Sequence, residues 1–246
     1  MPTYHAQAIV LAKTKLADSD LIYTLLSDEG SQLRAVGKGA RKPTSKLSGT
    51  MELFHTVDLL AYKGRSLDTV SDAKLVAANR AIVSDVRLVA LASTVAELVA
   101  KLSRSGQIEP RIFEMTGSYL AALDADQRAP TLTVAALLKI SAQIGFRPEF
   151  HSCVLCGSPV LAVGSYRDFS VNEGGVLCSD CAAQSQSQSL SAELLAELER
   201  LLYSTFEAIV PAALPPRQLF AFVAQWLECH LQLHLKSYRS LGEYFE

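Results

Sequence analysis

Two C-x-x-C pairs, Cys153 with Cys156 and Cys178 with Cys181, separated by 21 residues, constrain this chain more than any other feature. Thiolates with two residues between them on a tight turn can face one cation, and two such knuckles supply the four soft ligands of tetrahedral Zn²⁺. A closed four-thiolate shell leaves no open position for water or substrate, so the expected cofactor is one structural zinc and not a catalytic metal. A disulfide framework belongs to small secreted domains, whereas this sequence has 246 residues, an odd count of five cysteines and no recognisable signal peptide. A thioredoxin-like redox site would use a single C-x-x-C between a strand and a helix. Here Phe169, Val171, Val176 and Leu177 flank the turn-forming Asn172-Glu173-Gly174-Gly175, so the second knuckle follows a short returning strand, as in a zinc ribbon.

The rest of the chain must be globular, since 49% of it is hydrophobic and 20% charged. Its longest apolar stretch, Val86 to Ala100, carries Arg87, Ser93, Thr94 and Glu97 and would bury charge in a bilayer. The expectation is a soluble cytoplasmic protein with no membrane partner.

Up to about Leu75 the pattern is strand-rich. Runs at Tyr4–Ala12, Leu21–Leu26, Gln32–Val36, Met51–Tyr62 and Leu67–Ser71 read as five short strands, the second and third joined across Asp28-Glu29-Gly30. Closure into a small barrel of the oligonucleotide/oligosaccharide-binding (OB) type removes the edges that an open sheet would expose. Between Ser31 and Met51 stand Arg34, Lys38, Arg41, Lys42 and Lys46 with no acidic residue, a net +5 inside a chain of net charge -2. Glycines 37, 39 and 49 allow close backbone approach, and cations so spaced suit a phosphate chain read without regard to bases. Lys63 and Arg65 extend the candidate DNA-binding set, and Lys13 and Lys15 could join it. The competing reading is a solvated loop kept soluble by its charges. Tyr23, Phe54 and Tyr62 are candidates for base stacking, although aromatics on strands are commonly core.

After about Asp72 the period becomes helical. Asp85–Arg104 predicts a central helix, a second starts at Pro110, a third spans Thr133–Ile144 and ends at Gly145, Ser191 caps a fourth, and the last runs from Arg217 to Lys236. Residues 182–189, rich in Gln and Ser, read as a linker or surface loop. The fold class is therefore α+β multidomain: an OB barrel over 1–78, a helical domain over 79–150 and 184–246, and a four-cysteine zinc ribbon at 151–183 inserted within it. His230 and His234 lack an H-E-x-x-H context, and Cys229 reads as a free buried cysteine. No phosphate-binding loop, nucleophile elbow or deaminase signature occurs, so the chain is not expected to be an enzyme.

The phrase Gly37-Lys38-Gly39-Ala40-Arg41-Lys42 followed by Ser45-Lys46-Leu47, then Gly145-Phe146-Arg147-Pro148, Cys153-Val154-Leu155-Cys156-Gly157 and Gly174-Gly175-Val176-Leu177-Cys178-Ser179-Asp180-Cys181, resembles the bacterial recombination mediator family RecO over nearly the whole chain. That resemblance implies a non-catalytic, nucleoid-associated DNA-repair protein of the RecF pathway. Such a protein binds single- and double-stranded DNA, anneals complementary strands, acts with RecR, binds the C-terminal tail of single-strand binding protein, and indirectly serves RecA. The family's zinc cysteines match Cys153, Cys156, Cys178 and Cys181. The acidic, hydrophobic tail requires an apolar groove with a cationic rim, for which Lys101, Arg104, Arg111, Lys139 and Arg147 are candidates. The alternative is a zinc-braced protein-interaction adaptor without direct DNA binding.

Overall fold

The computed structural model describes residues 2–106, 108–125, 129–160 and 164–241. The chain divides into two compact units, Met1–Gln127 and Arg128–Glu246.

In the first unit, β1 (Thr3–Lys15), β2 (Leu21–Ser27), β3 (Gln32–Gly37), a one-turn helix α1 (Lys46–Thr50), β4 (Thr56–Tyr62) and β5 (Asp68–Ala77) precede a helical segment. The five strands close in the order β1-β2-β3-β5-β4, antiparallel throughout except between β3 and β5. Closure gives every strand a neighbour on both sides, although β3 and β5 meet at only two residue pairs, Ala35 with Asp68 and Val36 with Thr69. Alternate residues point inward: Ala8 and Val10, Tyr23 and Leu25, Ala35, then Val57, Leu59 and Ala61 fill the interior. The intervening Ile9 and Leu11 are also buried, because a helix over Val86–Leu102 lies against β1 and β2. A strand covered on both faces loses clean alternation, and β1 extends beyond the Tyr4–Ala12 predicted from the pattern.

The fourth strand begins later than its sequence alternation suggests. Met51–His55 is not strand: Phe54 takes a left-handed conformation (φ 66°), its N–H donates to the Val10 carbonyl at 2.8 Å, and its own carbonyl accepts from Asn79 Nδ2 at 2.7 Å. Backbone groups that would have joined a ladder are satisfied in this buried turn. Upstream, Ser45 caps α1 by accepting the Leu47 N–H at 3.3 Å, so part of the basic connection is helical. The fifth strand is longer than the predicted Leu67–Ser71.

Among the described residues of this unit, the helices are α2 (Arg80–Ser84), α3 (Val86–Leu102), which runs into a 3₁₀ turn at Ser103–Ser105, and α4 (Arg111–Ala125), besides α1. Asp85 caps α3 through the Arg87 N–H at 2.8 Å. Leu91, Ala92, Val95, Ala96, Leu98 and Val99 are buried, as their helical spacing requires, whereas Val86 at its start is 66% exposed.

The second unit opens with α5 (Ala129–Gln143), whose residues from Thr131 to Leu138 are all buried, and Gly145 (φ 102°) lies beyond its end. Then come β6 (Tyr166–Ser170), β7 (Gly175–Val176), α6 (Ser179–Ala182), β8 (Gln188–Ser191), α7 (Ala192–Tyr203), α8 (Pro216–Leu231) and α9 (Lys236–Leu241). The β6–β7 hairpin is joined on its other side by β8, giving the order β7-β6-β8. The expectation of a linker over 182–189 therefore fails at its end: Gln188 and Ser189 pair with Phe169 and Asp168, because the β6 edge offers backbone partners that composition does not announce. Ser191 does cap α7, accepting the Leu194 N–H at 3.2 Å. The last predicted helix is cut short at Leu231, where Gln232 turns left-handed (φ 52°). Among the described residues no helix is long and apolar enough to cross a membrane.

Phe169 on β6 meets Phe222 edge-on, with ring centroids 5.5 Å apart, and lies 6.3 Å from Trp226 and 6.5 Å from Phe150. The small sheet is thus seated on α8 by an aromatic cluster, and Trp226 donates its indole N–H to the Phe146 carbonyl at 3.3 Å.

Candidate metal and nucleic-acid sites

Each cysteine pair sits on a turn that its own backbone hydrogen bonds close. Gly157 N–H donates to the Cys153 carbonyl at 2.8 Å and Cys153 N–H to the Ser158 carbonyl at 2.8 Å, while Cys178 precedes α6 and its carbonyl accepts from Ala182 at 2.9 Å. Gly157 takes the left-handed conformation (φ 75°) that closes the first knuckle. The four sulfurs lie within 4.8 Å of one another. A tetrahedron with metal–sulfur bonds of about 2.3 Å has edges of about 3.8 Å, and Cys156 Sγ is 3.7 Å from Cys178 Sγ. Burial by itself would raise the Cys153 thiol, but N–H groups of Cys178, Cys156 and Leu155 bring it down to about 6. Cys181, beside the Cys178 and Cys153 sulfurs, is pushed up to about 12. Four thiolates cannot all ionise at this spacing without a cation among them, so the donor set can hold a metal ion.

The other metal candidates do not join this cluster. His230 packs on Trp226, ring centroids 4.1 Å apart, and burial lowers its pKa, while His234 faces Glu228 at 3.3 Å. Cys229, expected to be buried, is partly exposed and donates to Asn172 Oδ1 at 3.1 Å.

The basic residues of the barrel fall into two groups joined along β3. Lys38, Arg41, Lys42 and Lys46 are exposed on the β3–α1 connection and on α1 itself. That connection is tied to the β1–β2 loop: Arg41 N–H donates to the Ser19 carbonyl at 3.0 Å, Arg41 Nη1 to the Asp18 carbonyl at 2.8 Å, and Gly39 N–H to Asp20 Oδ1 at 2.8 Å. The Gly39 N–H, then the Ser19 hydroxyl and the nearby Lys38 and Lys42, hold the Asp20 carboxyl below its ordinary range. The second group, Arg34, Lys63 and Arg65, lines a cleft of about 420 Å³ with Arg104 from the turn after α3. Among the described residues the side chains of Arg34, Lys38, Lys42, Lys46 and Arg65 make no hydrogen bond or ion pair. Lys63 is 3.3 Å from Asp68. Burial would raise the Asp68 carboxyl, but hydrogen bonds from Tyr4, Gly64 and Lys63 hold it below its usual value.

Between the two groups the outer barrel surface is uncharged. Ile22 pairs with Val36, Val36 with Thr69 and Thr69 with Tyr62, and directly paired residues share a face. Of the three aromatics considered for stacking, Tyr23 and Phe54 are core, and Tyr62 alone is open, 41% exposed. Lys13, which could have joined the track, turns instead into an ion pair with Glu52, and burial lowers its pKa. Lys15 stays exposed, 4.0 Å from Asp18. Arg104 in the cleft is a residue that the sequence offers only for a peptide rim. It lies 39 residues beyond Arg65, and no local pattern links the two.

In the second unit, α5, α8 and the residues around α9 enclose an apolar cavity of about 170 Å³ lined by Leu137, Phe220, Val223, Leu227 and Leu235. Its charged lining is Glu228 beside His234, and none of the five cations considered for a peptide rim lines it. Lys139 is partly buried, donates to the Leu202 carbonyl at 2.7 Å and stands over the Phe206 ring. Lys101 pairs with Glu97 at 3.2 Å.

A closed five-stranded OB-type barrel with cationic loops, accompanied by helices and a tetracysteine cluster, defines a modular α+β protein whose barrel is of a class that binds oligonucleotides and oligosaccharides. Residues 1–79 match the family model for the N-terminal part of recombination protein O, and residues 83–239 the model for its C-terminal part. The "DNA repair protein RecO" of Bifidobacterium adolescentis is 31% identical over 248 aligned residues, covering 98% of this chain and 100% of that protein. Those of Frankia casuarinae and a Nocardioides species are 32% and 34% identical, covering 96% and 95% of this chain and 97% of each relative. The chain belongs to the RecO family of DNA repair proteins.

Proposed function

We propose that this protein is a non-catalytic mediator of the RecF pathway: it binds single- and double-stranded DNA, anneals complementary strands and, with RecR, helps RecA load onto DNA coated with single-strand binding protein. The DNA contacts are assigned to Arg34, Lys38, Arg41, Lys42, Lys46, Lys63 and Arg65. The observation that carries the reading is the set of five exposed cations, without an ion pair among the described residues, flanking an uncharged barrel surface with one open tyrosine, cations for phosphates and a floor for sugars and bases. One Zn²⁺ held by Cys153, Cys156, Cys178 and Cys181 would brace the second unit. The tail of single-strand binding protein is assigned to the helical part. Zinc supplies shape, and the annealing work falls to the cations, which lower the repulsion between two strands.

Fluorescence anisotropy with a labelled single-stranded oligonucleotide tests the first step. Phosphate contacts from the five cations without a partner among the described residues alone give a slope of log K against log salt of roughly -3.5, about a hundredfold loss between about 50 and 200 mM. A slope near zero would rule out phosphate tracking. Strand annealing on DNA coated with single-strand binding protein, with and without that partner's tail, tests the mediator role. Equal rates with the tail deleted would remove the tail from the scheme.

A further inference from the structure

We infer that the nucleic-acid path does not end on the barrel but continues into the cleft at the end of α3, where Arg104 takes a backbone phosphate together with Arg34 and Arg65. This rests on the proposed DNA binding and adds to it a helical residue and a fixed position along the strand.

Both walls of the cleft are pinned to the barrel. On one side, Asp68 accepts the Gly64 N–H at 2.9 Å, the Tyr4 hydroxyl at 2.6 Å and Lys63 Nζ at 3.3 Å, which fixes the β4–β5 loop. The turn there is tight enough that a Cβ on Gly64 would lie 1.8 Å from the Leu67 carbonyl oxygen. On the other side, Gln32 Nε2 of β3 donates to the Ala100 carbonyl at 2.6 Å and to Ser103 Oγ at 3.2 Å, so the last turn of α3 is held against the strand that carries Arg34.

A cation after a helix C-terminus ordinarily serves the helix dipole and its free carbonyls. Here two of those carbonyls have other partners, Ala100 from Gln32 and Val99 from Ser103 Oγ at 2.7 Å, and Lys101 already places a cation in the last turn. Arg104 is left exposed, without an ion pair among the described residues. The one carboxylate among the described residues that line the cleft, Asp68, is engaged by Tyr4, Gly64 and Lys63, so Arg34, Arg65 and Arg104 form a positive site that no described carboxylate pairs, with walls already in place. Such a site favours a phosphodiester, because three guanidinium groups are carried on backbone already held in place and none must leave a carboxylate to bind it. Arg34 also stands on the strand that leads to Lys38, so cleft and loop lie along one route.

Anisotropy with fluorescent oligo-dT and the full chain tests this. Arg104→Ala is expected to lower the salt slope by about 0.7 and to weaken binding about fivefold at about 0.1 M salt, the contribution of one single-strand phosphate contact. Arg104→Lys is expected to keep the slope. Lys42→Ala serves as the loop control. If Lys42→Ala lowers the slope and Arg104→Ala does not, the path stops at the barrel and the inference fails while the DNA reading stands. If neither changes it and the wild-type slope is near zero, the DNA reading itself fails. If Arg104→Ala abolishes binding of a fluorescent acidic peptide and leaves binding of oligo-dT unchanged, the cleft serves protein recognition and the inference is overturned.

Discussion

Phe169 is the residue through which the small sheet beside the four cysteines is attached to its support, and its truncation has a calculable cost. Its side chain is fully buried among Phe150, Phe222 and Trp226. Removing a buried phenyl ring without refilling the space costs about 3–5 kcal/mol, against a total of about 5–15 kcal/mol for a typical domain. With a urea dependence of about 2 kcal/mol/M, Phe169→Ala should lower the unfolding midpoint by roughly 2 M and leave the slope unchanged. Trp226 is the chain's single tryptophan and touches the mutated ring, so its emission reports this unit directly. The native emission should shift to the red and lose intensity contrast on unfolding. Phe169→Leu should recover at least half of the lost stability, because it restores volume without the edge-on ring contact. The cysteine turns close through their own backbone bonds, so metal content should stay near that of the wild type. A midpoint within about 0.3 M of the wild type would refute the account of how the sheet is seated.

Three further outcomes follow from the geometry. Cys178→Ser removes one of four converging sulfurs and should reduce the metal content from about one per chain to near zero, lowering the melting temperature read by Trp226 while oligonucleotide affinity stays within about twofold. Metal analysis and anisotropy on one preparation check both halves, and a large loss of DNA affinity would contradict the separation of brace from binding surface. Gly64→Ala forces a Cβ into the Leu67 carbonyl and should destabilise the first unit by more than about 2 kcal/mol in urea titration; a neutral result would contradict the tight turn. Asp68, whose carboxyl is held below its ordinary value, contributes stability that is present above its unfolded pKa of about 4 and is lost as pH falls through the lower folded value. Asp68→Asn should therefore destabilise the first unit at pH 7 and flatten its loss of stability below about pH 4. Parallel acid limbs for variant and wild type would exclude Asp68 as the titrating group.

The cysteine spacing announced a four-sulfur site because two residues between thiolates is a local geometric requirement, met within each turn before any long-range contact forms. The cap at Ser191 was equally accessible, since a capping oxygen acts within three residues. The barrel's strand count was readable from short runs and turns. The start of β4 was not, because the alternation from Met51 to His55 satisfies the pattern while the left-handed Phe54 is fixed by partners at Val10 and Asn79. The third strand of the small sheet was hidden for a related reason. Its Gln-Ser sequence has no apolar face to declare, and it is recruited by the free backbone edge of β6.

What the sequence determined by itself were the properties that reside in neighbours along the chain: the paired-cysteine turns, the run of cations from Arg34 to Lys46, the helical periods and the family. The tertiary structure decided which charges are available and which stand together. Lys13 and Lys139 are counted as cations in the sequence, yet each is engaged in the folded chain, one by Glu52 and the other by the Leu202 carbonyl. Arg34, Arg65 and Arg104 are scattered along the sequence, yet line one cleft because the β3–β5 pairing and the Gln32 clamp bring their backbones together. Charge is a property of composition, whereas an electrostatic site depends on distance and on what already compensates each charge, and those quantities exist only once the chain has folded.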